Sequence, residues 1–320
     1  MTLDAVEQVA NAVLYEGYLL YPYRASALKN QRRWNFGVVY PHEDDSQHCN
    51  ENPCVMQTEC LCKANSAAVI QIKVRFLRLV ERWDPRAAPS PIQEAEEAEV
   101  ALRSCRLSDL MAKPLTLEFS FPEKVEEEGT VVRRGRLVKG SVFAEAIEVR
   151  AGFWKVAVRI ENQTVYTRKN DELVASEDNL LQSLVSTHTI LRLRDGAFIS
   201  LIDPPRELSQ AAAACVNQRT WPVLAGDETK ADTVLSSPII LYDYPQIAPE
   251  SPGDLFDGTE IDEILTLRIL TMTDQEKEEM RRTDPRSREV LERAEALPAE
   301  ALMKLHGVLR SVGPSGGGAS

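Results

Sequence analysis

Val69-Ile70-Gln71-Ile72-Lys73-Val74-Arg75-Phe76-Leu77-Arg78-Leu79 is the stretch that decides the fold class. Ile70, Ile72, Val74 and Phe76 recur at every second position, with Gln71, Lys73 and Arg75 between them, so an extended chain places the two sets on opposite faces. One face is apolar and the other wet, the pattern of a half-buried antiparallel strand. Further along, Leu115-Leu117-Phe119-Phe121, residues 136–142, residues 146–150 and Trp154-Val156-Val158-Ile160 repeat the β pattern, with turns expected at Gly129, Gly140 and Gly152. Short strands at this spacing predict an antiparallel sandwich-like or barrel-like body. Residues 189–202 predict a hairpin, because Asp195-Gly196 supplies two positions tolerant of positive φ between apolar arms.

Around this β body the pattern changes. Residues 4–14 predict a helix, with Val6, Val9, Ala10, Val13 and Leu14 on one face, and residues 18–23 and 34–40 read as two strands. Residues 84–99, rich in proline and glutamate, read as a loop leading into a short acidic helix, so 84–112 is a candidate boundary inside the body. Residues 206–217 read as helix, and Trp221-Pro222-Val223-Leu224 returns to the core. The expectation is an α+β chain with a β-rich body over 1–225 and an extended proline-rich, acidic linker over 226–258. A helical C-terminal region follows over 259–312, and a glycine- and serine-rich tail over 313–320.

Hydrophobic content of 43% and charged content of 27% are those of a globular protein. A net charge of -12 disfavours nucleic acid and anionic membranes as partners. The first residues are acidic where a signal peptide carries basic ones, and no apolar run approaches the roughly 18 residues of a membrane span, so a cytoplasmic location without membrane insertion is expected. In that reducing compartment six cysteines are expected as thiols or metal ligands.

Three groups of residues suggest chemistry. His48, Cys49, Cys54, Cys60 and Cys62, with His42 nearby, offer thiolates and imidazoles to zinc. Their spacing matches neither a paired CxxC signature nor a common iron–sulfur pattern, and a strand through Cys60-Leu61-Cys62 is expected to turn the cysteines to opposite faces, so ordinary thiols are the simpler reading. Glu16 and Glu59 are acids inside apolar runs, where a carboxylate needs a partner; Arg24 and Arg33 are candidates, making Glu16, Arg24, Glu59 and His188 a buried polar site. His188 could also serve Cys215 or Ser186 as a base in a hydrolase, although no nucleophile elbow surrounds them. The acids from Asp254 to Glu263 lack the EF-hand order and are accounted for by a helix N-terminus. Phosphate loops and dinucleotide fingerprints are absent from the sequence.

Residues 242–257, Tyr-Asp-Tyr-Pro-Gln-Ile-Ala-Pro-Glu-Ser-Pro-Gly-Asp-Leu-Phe-Asp, combine tyrosines, prolines and acids over a length too great for a simple connection. Such a segment lies extended over a surface, its own or a partner's, with Tyr242, Tyr244, Pro249, Glu250, Asp254 and Phe256 as the contact residues.

The runs 15–30, 33–37, 56–61 and 248–257 resemble those of an uncharacterised bacterial family encoded in nickel-iron hydrogenase gene clusters, and the resemblance extends to about Arg282. It implies an accessory role in assembly, maturation or stabilisation of a hydrogenase, through contact with a hydrogenase subunit or maturation factor, and no active site. The position of Cys60 is shared with the family, whereas Cys49, Cys54 and Cys62 depart from its pattern.

Overall fold

The alternation at 69–79 is the middle of a strand almost three times as long. The structure, a computed structural model, describes residues 5–19, 37–43, 52–86, 91–166 and 179–246, and the single positions 274, 277, 281, 288, 291 and 292. In chain order the elements are α1 (Ala5–Leu19), β1 (His42–Glu43), β2 (Val55–Trp83), β3 (Ile92–Arg106), α2 (Leu107–Ala112), β4 (Leu115–Phe121), β5 (Lys124–Glu128) and β6 (Val131–Gly135). Then come β7 (Val138–Arg150), β8 (Phe153–Asn162), β9 (Val165–Tyr166), β10 (Val185–Ile199), β11 (Trp221–Ala225) and β12 (Thr233–Ser237). The chain separates into two compact units, Met1–Ile247 and Ala248–Ser320. All these elements belong to the first. In the second, Asp274, Lys277, Arg281, Arg288, Leu291 and Glu292 are helical, as the charged pattern beyond Thr273 predicts.

β2 is the trunk of a mainly antiparallel ten-stranded sheet. One of its edges pairs with β10 from Leu61 to Leu77 and then with β6 from Val80 to Trp83. The other pairs with β8 from Val55 to Lys63 and then with β3 from Val69 to Arg82. β7 and β4 extend the sheet beyond β8, and β12 and β11 extend it beyond β10. This is the sandwich-like α+β body expected from the sequence.

Both faces of the sheet are covered. Ile70, Ile72, Val74 and Phe76 face a large core with Trp154, Val156, Val158 and Ile160 of β8 and Leu191, Leu193 and Phe198 of β10. Against the opposite face α1 lays Val6, Val9, Ala10 and Val13 on Ile190, Val223 and Leu235. At one end of the first core Phe76, Phe119 and Phe121 form a triangle with ring centroids 5.8–5.9 Å apart, and the Arg78 guanidinium stacks over Phe121 at 4.7 Å.

Several local expectations are corrected, each by a tertiary partner. Asp195-Gly196 is not a hairpin turn: β10 runs straight through it, and the positive φ of Asp195 (66°) serves a bulge. Arg194 pairs with Val69 and Gly196 with Ala64, so residues 65–68 of β2 stand against Asp195 alone. A Cβ at Gly196 would lie 2.7 Å from the Ala64 Cβ, and this close approach is why glycine occupies the site. Residues 92–99 form strand, not an acidic helix. Their glutamates meet cations across β2 in the pairs Arg82–Glu94, Arg78–Glu96, Arg75–Glu97 and Lys73–Glu99. β3 therefore continues the sheet, and 84–112 is no boundary. Nor does the linker begin at 226, because β12 is a central strand and the first unit runs to Ile247.

There are three smaller differences. α1 reaches Leu19, so the strand expected from residue 18 is helix at its first two residues, and its remainder lies outside the described residues. Of residues 34–40, those described make a single bridge, Val39 to Leu184. The helix expected over 206–217 shrinks to a 3-10 turn, Arg206–Leu208, and one turn of helix, Ser209–Ala213.

Gly140 lies inside β7, not in a turn, because the ring of Phe119 on β4 crosses it where a side chain would be. A Cβ there would stand 2.4 Å from Phe119 Cζ and 2.6 Å from the Glu161 carbonyl oxygen. Gly140→Ala is therefore expected to lower stability by about 1–3 kcal/mol in urea denaturation. An unchanged midpoint would show that this crossing is not tight in solution.

Candidate functional site

Where β10 ends at Ile199, the edge of β2 is taken over by the segment after the short helix. Gln57 and Gln218 exchange backbone hydrogen bonds of 3.3 and 2.8 Å. Next to them Asn217 Oδ1 accepts from the Glu59 amide (2.8 Å) and from Thr58 Oγ1 (3.1 Å). Thr58 Oγ1 in turn accepts from Ser236 Oγ (2.8 Å), which shares a hydrogen bond of 2.7 Å with Thr220 Oγ1. All the hydroxyl-bearing members are buried.

Glu59 completes this polar junction. Its Oε2 accepts from Lys155 Nζ and from the Val216 amide, each at 2.9 Å. This cation comes from β8, diagonal to Glu59 in the β2–β8 register; Arg24 and Arg33 lie outside the described residues. A carboxylate satisfied by a cation and an amide holds two segments together. Glu16 is helical, at the end of α1, and its side chain is outside the described set.

His188 is the other buried polar residue predicted as a site. Its Nδ1 lies 3.0 Å from the Ser186 carbonyl oxygen and so donates to it, leaving Nε2 as a buried acceptor without a partner among the described residues. Ser186 reaches this position with φ of 52°. Burial pulls the His188 pKa down to about 4, with the Arg75 charge acting in the same direction and the Ser186 hydrogen bond against it. His188 pairs with Arg75, sixteen residues along β2 from Glu59, roughly 50 Å of extended chain. Its Nδ1 meets the Ser186 carbonyl, not the hydroxyl, and Cys215 lies beside Val216 at the Glu59 end. The structure thus separates His188 from Glu59 and Cys215.

The thiols fare similarly. Contrary to the expected division, Cys60 and Cys62 share one face of β2, as residues two apart in a strand do, and point into the core. Burial drives Cys60 well above the ordinary thiol range, with Cys62, Cys215 and Glu59 adding to the effect, and drives Cys62 to about 12. Cys215 is pushed up to about 11 by burial and then by Glu59, against Lys155. Such thiols are poor nucleophiles and poor ligands at neutral pH. Cys54 precedes β2 and His42 stands on β1, while His48 and Cys49 lie outside the described residues. Among the described residues no group of three or more His, Cys, Asp or Glu side chains is placed to hold a metal ion.

A different surface has the geometry of a contact site. Asp243 closes the sheet edge at β11: Oδ1 accepts from the Leu224 amide (2.8 Å) and Oδ2 from Ser200 Oγ (2.5 Å). The Tyr244 amide then donates to the Leu224 carbonyl at 2.6 Å, with Tyr244 in the left-handed region (φ 56°). Ser200 Oγ also accepts from the amides of Ile202 and Asp203, which ties that corner to the same carboxylate. The chain around this clamp alternates: Leu241 is buried against Ile190 and Val223, while Ile240 (72%) and Tyr242 (84%) are exposed, with Ile202 also exposed at the clamped corner. Of the predicted contact residues, Tyr244 is an anchor on the protein's own body and Tyr242 is displayed. Pro249, Glu250, Asp254 and Phe256 lie outside the described residues. Sequence reading found the two tyrosines but missed Asp243 and Ser200, because neither carries a local signal and the clamp joins residues 43 positions apart.

No protein-family model matches the chain, and no curated protein matches it. No helix among the described residues is long and apolar enough to cross a membrane.

Two measurements check the buried polar groups. Lys155→Met leaves a largely buried carboxylate without its cation and is expected to cost about 2 kcal/mol in urea denaturation, most of it recovered in the double variant with Glu59→Gln. For His188 the folded pKa lies below the unfolded value of 6.5, so the unfolded chain takes up the proton first. Its contribution is fully present above pH 6.5 and is lost as pH falls toward 4, by about 3 kcal/mol. His188→Gln is expected to lose less stability than the wild type between pH 7 and pH 4.5. Parallel losses would place the acid sensitivity elsewhere.

Proposed function

We propose that this chain is a non-catalytic accessory protein that works through surface contact, and that the clamped ledge at Ile240–Tyr242 is one of its contact points. The observation that carries this reading is the Asp243 clamp. It fixes the backbone directly after two exposed large side chains, Ile240 and Tyr242, while the buried Leu241 anchors the residue between them, so their presentation costs little ordering on binding. Large apolar side chains held outward beside a polar rim are what an interface anchor needs. The resemblance to a family encoded with nickel-iron hydrogenases supplies the partner class: a hydrogenase subunit or maturation factor, met in the cytoplasm during assembly, maturation or stabilisation. The acidic surface implied by a net charge of -12 fits a protein partner better than nucleic acid.

The test is affinity purification of the tagged full-length chain from cells producing a hydrogenase. Hydrogenase subunits or maturation factors are expected to co-purify, and Ile240→Ser with Tyr242→Ser is expected to reduce them about tenfold while leaving the fold intact. Truncation after Ile247 leaves the clamp in place and separates the ledge from everything that follows it. Failure of the wild type to enrich any such partner would sink the partner assignment. Equal recovery by the double variant would move the contact away from the ledge.

A further inference from the structure

Two of the outer edges of the branched ten-stranded sheet, β11 and β4, are finished differently. At β11 the outer edge is blunted: Pro222 has no amide to offer, and both backbone groups of Leu224 are taken by Asp243 and Tyr244. At β4 it is not. β4 pairs with β7 residue for residue over its whole length without a bulge, contains no proline, and has no backbone hydrogen bond beyond that ladder among the described residues.

The side chains along β4 are those of a strand with a neighbour missing. Leu115, Leu117, Phe119 and Phe121 turn to the core side but stay only half-buried, while Thr116, Glu118 and Ser120 are exposed on the other. Glu118 is the informative residue. The glutamates of β3 at 94, 96, 97 and 99 each meet a cation on a neighbouring strand. Glu118 makes no ion pair or hydrogen bond among the described residues: Ser141 stands directly opposite it on β7, and Lys139, opposite Ser120, is diagonal to it without pairing.

We infer that the β4 edge is a strand-addition site for an extended segment of a partner protein that carries Lys or Arg opposite Glu118 and apolar residues on either side of it. Strand addition satisfies the open backbone groups, the flanking apolar side chains complete the cover of Leu117 and Phe119, and the cation gives Glu118 the partner its position lacks. A second copy of this chain is the less suitable occupant. Antiparallel self-pairing centred on β4 would set Glu118 directly against Glu118, between two molecules that each carry a charge of -12. This site is independent of the Tyr242 ledge, and either can fail without the other.

The experiment uses the full-length chain and two fluorescein-labelled peptides matched in length to β4. Each alternates valine with threonine, one with arginine at its central polar position and the other with glutamate there. The arginine peptide is expected to bind about tenfold more tightly by fluorescence anisotropy, to weaken with salt, and to slow amide hydrogen exchange in residues 115–121. Glu118→Lys is expected to reverse the preference, and Glu118→Gln to abolish it. The inference is overturned if neither peptide binds, if protection falls on another strand, or if Glu118→Lys leaves the preference unchanged. A wild-type dimer in sedimentation that dissociates on Ser120→Pro would also overturn it, by assigning the edge to a second copy.

Discussion

Backbone pairing along both edges of β2 is the constraint on which the rest of the body depends. Twenty-nine residues of continuous strand offer more ladder than any one neighbour can fill, so each edge is shared by two partners in succession, β10 then β6 and β8 then β3. Because side chains alternate with period two, a one-residue slip at any of these interfaces would turn a whole row of core residues outward. The bulge at 65–68 against Asp195 lies near where one edge passes from β8 to β3. The Trp154 indole, donating to the Ala64 carbonyl at 3.1 Å, fixes that point from inside the core.

Where the ladder stops, side chains take over the work of the backbone. Asn217 and Glu59 attach the segment after the short helix to the open end of β2. Asn162, fully buried, donates to the carbonyls of Val39 and Gln182 and accepts from the Thr164 amide, which draws three segments that pair little with the main sheet against the end of β8. Asp243 does the same at β11. Each of these groups is buried or half-buried and accepts hydrogen bonds from, or donates them to, more than one partner, the condition under which interior polar side chains specify one arrangement without weakening it. The buried acid, the buried imidazole and the core thiols are parts of this framework, while the clamped ledge lies at its surface and β4 at one of its edges.

Fold class was legible from short-range pattern because the sheet is half-buried over long stretches. Ile70, Ile72, Val74 and Phe76 announce a strand at every second residue, and Val6, Val9, Ala10 and Val13 announce α1 at helical spacing. The misreadings came where local chemistry has two uses. Asp195-Gly196 tolerates positive φ in a bulge as well as in a turn, Gly140 admits a neighbouring aromatic ring as well as a bend, and a run of glutamates is a poor strand only until four cations stand opposite. The site residues were harder still, since Glu59 finds Lys155 at a separation of 96 residues and Asp243 finds Ser200 across 43.

The sequence by itself determined that the chain is β-rich, acidic and without a recognisable reaction motif, since periodicity, charge and motif spacing are properties of neighbouring residues. Only the tertiary structure decided that one strand runs unbroken from Val55 to Trp83, that the predicted turn within β10 is a bulge, and that, among the described residues, the β11 edge is sealed while the β4 edge stands open. Those outcomes depend on which distant segment supplies the next hydrogen-bond partner. A backbone amide carries the same chemistry at every position and holds no record of that choice in its own sequence.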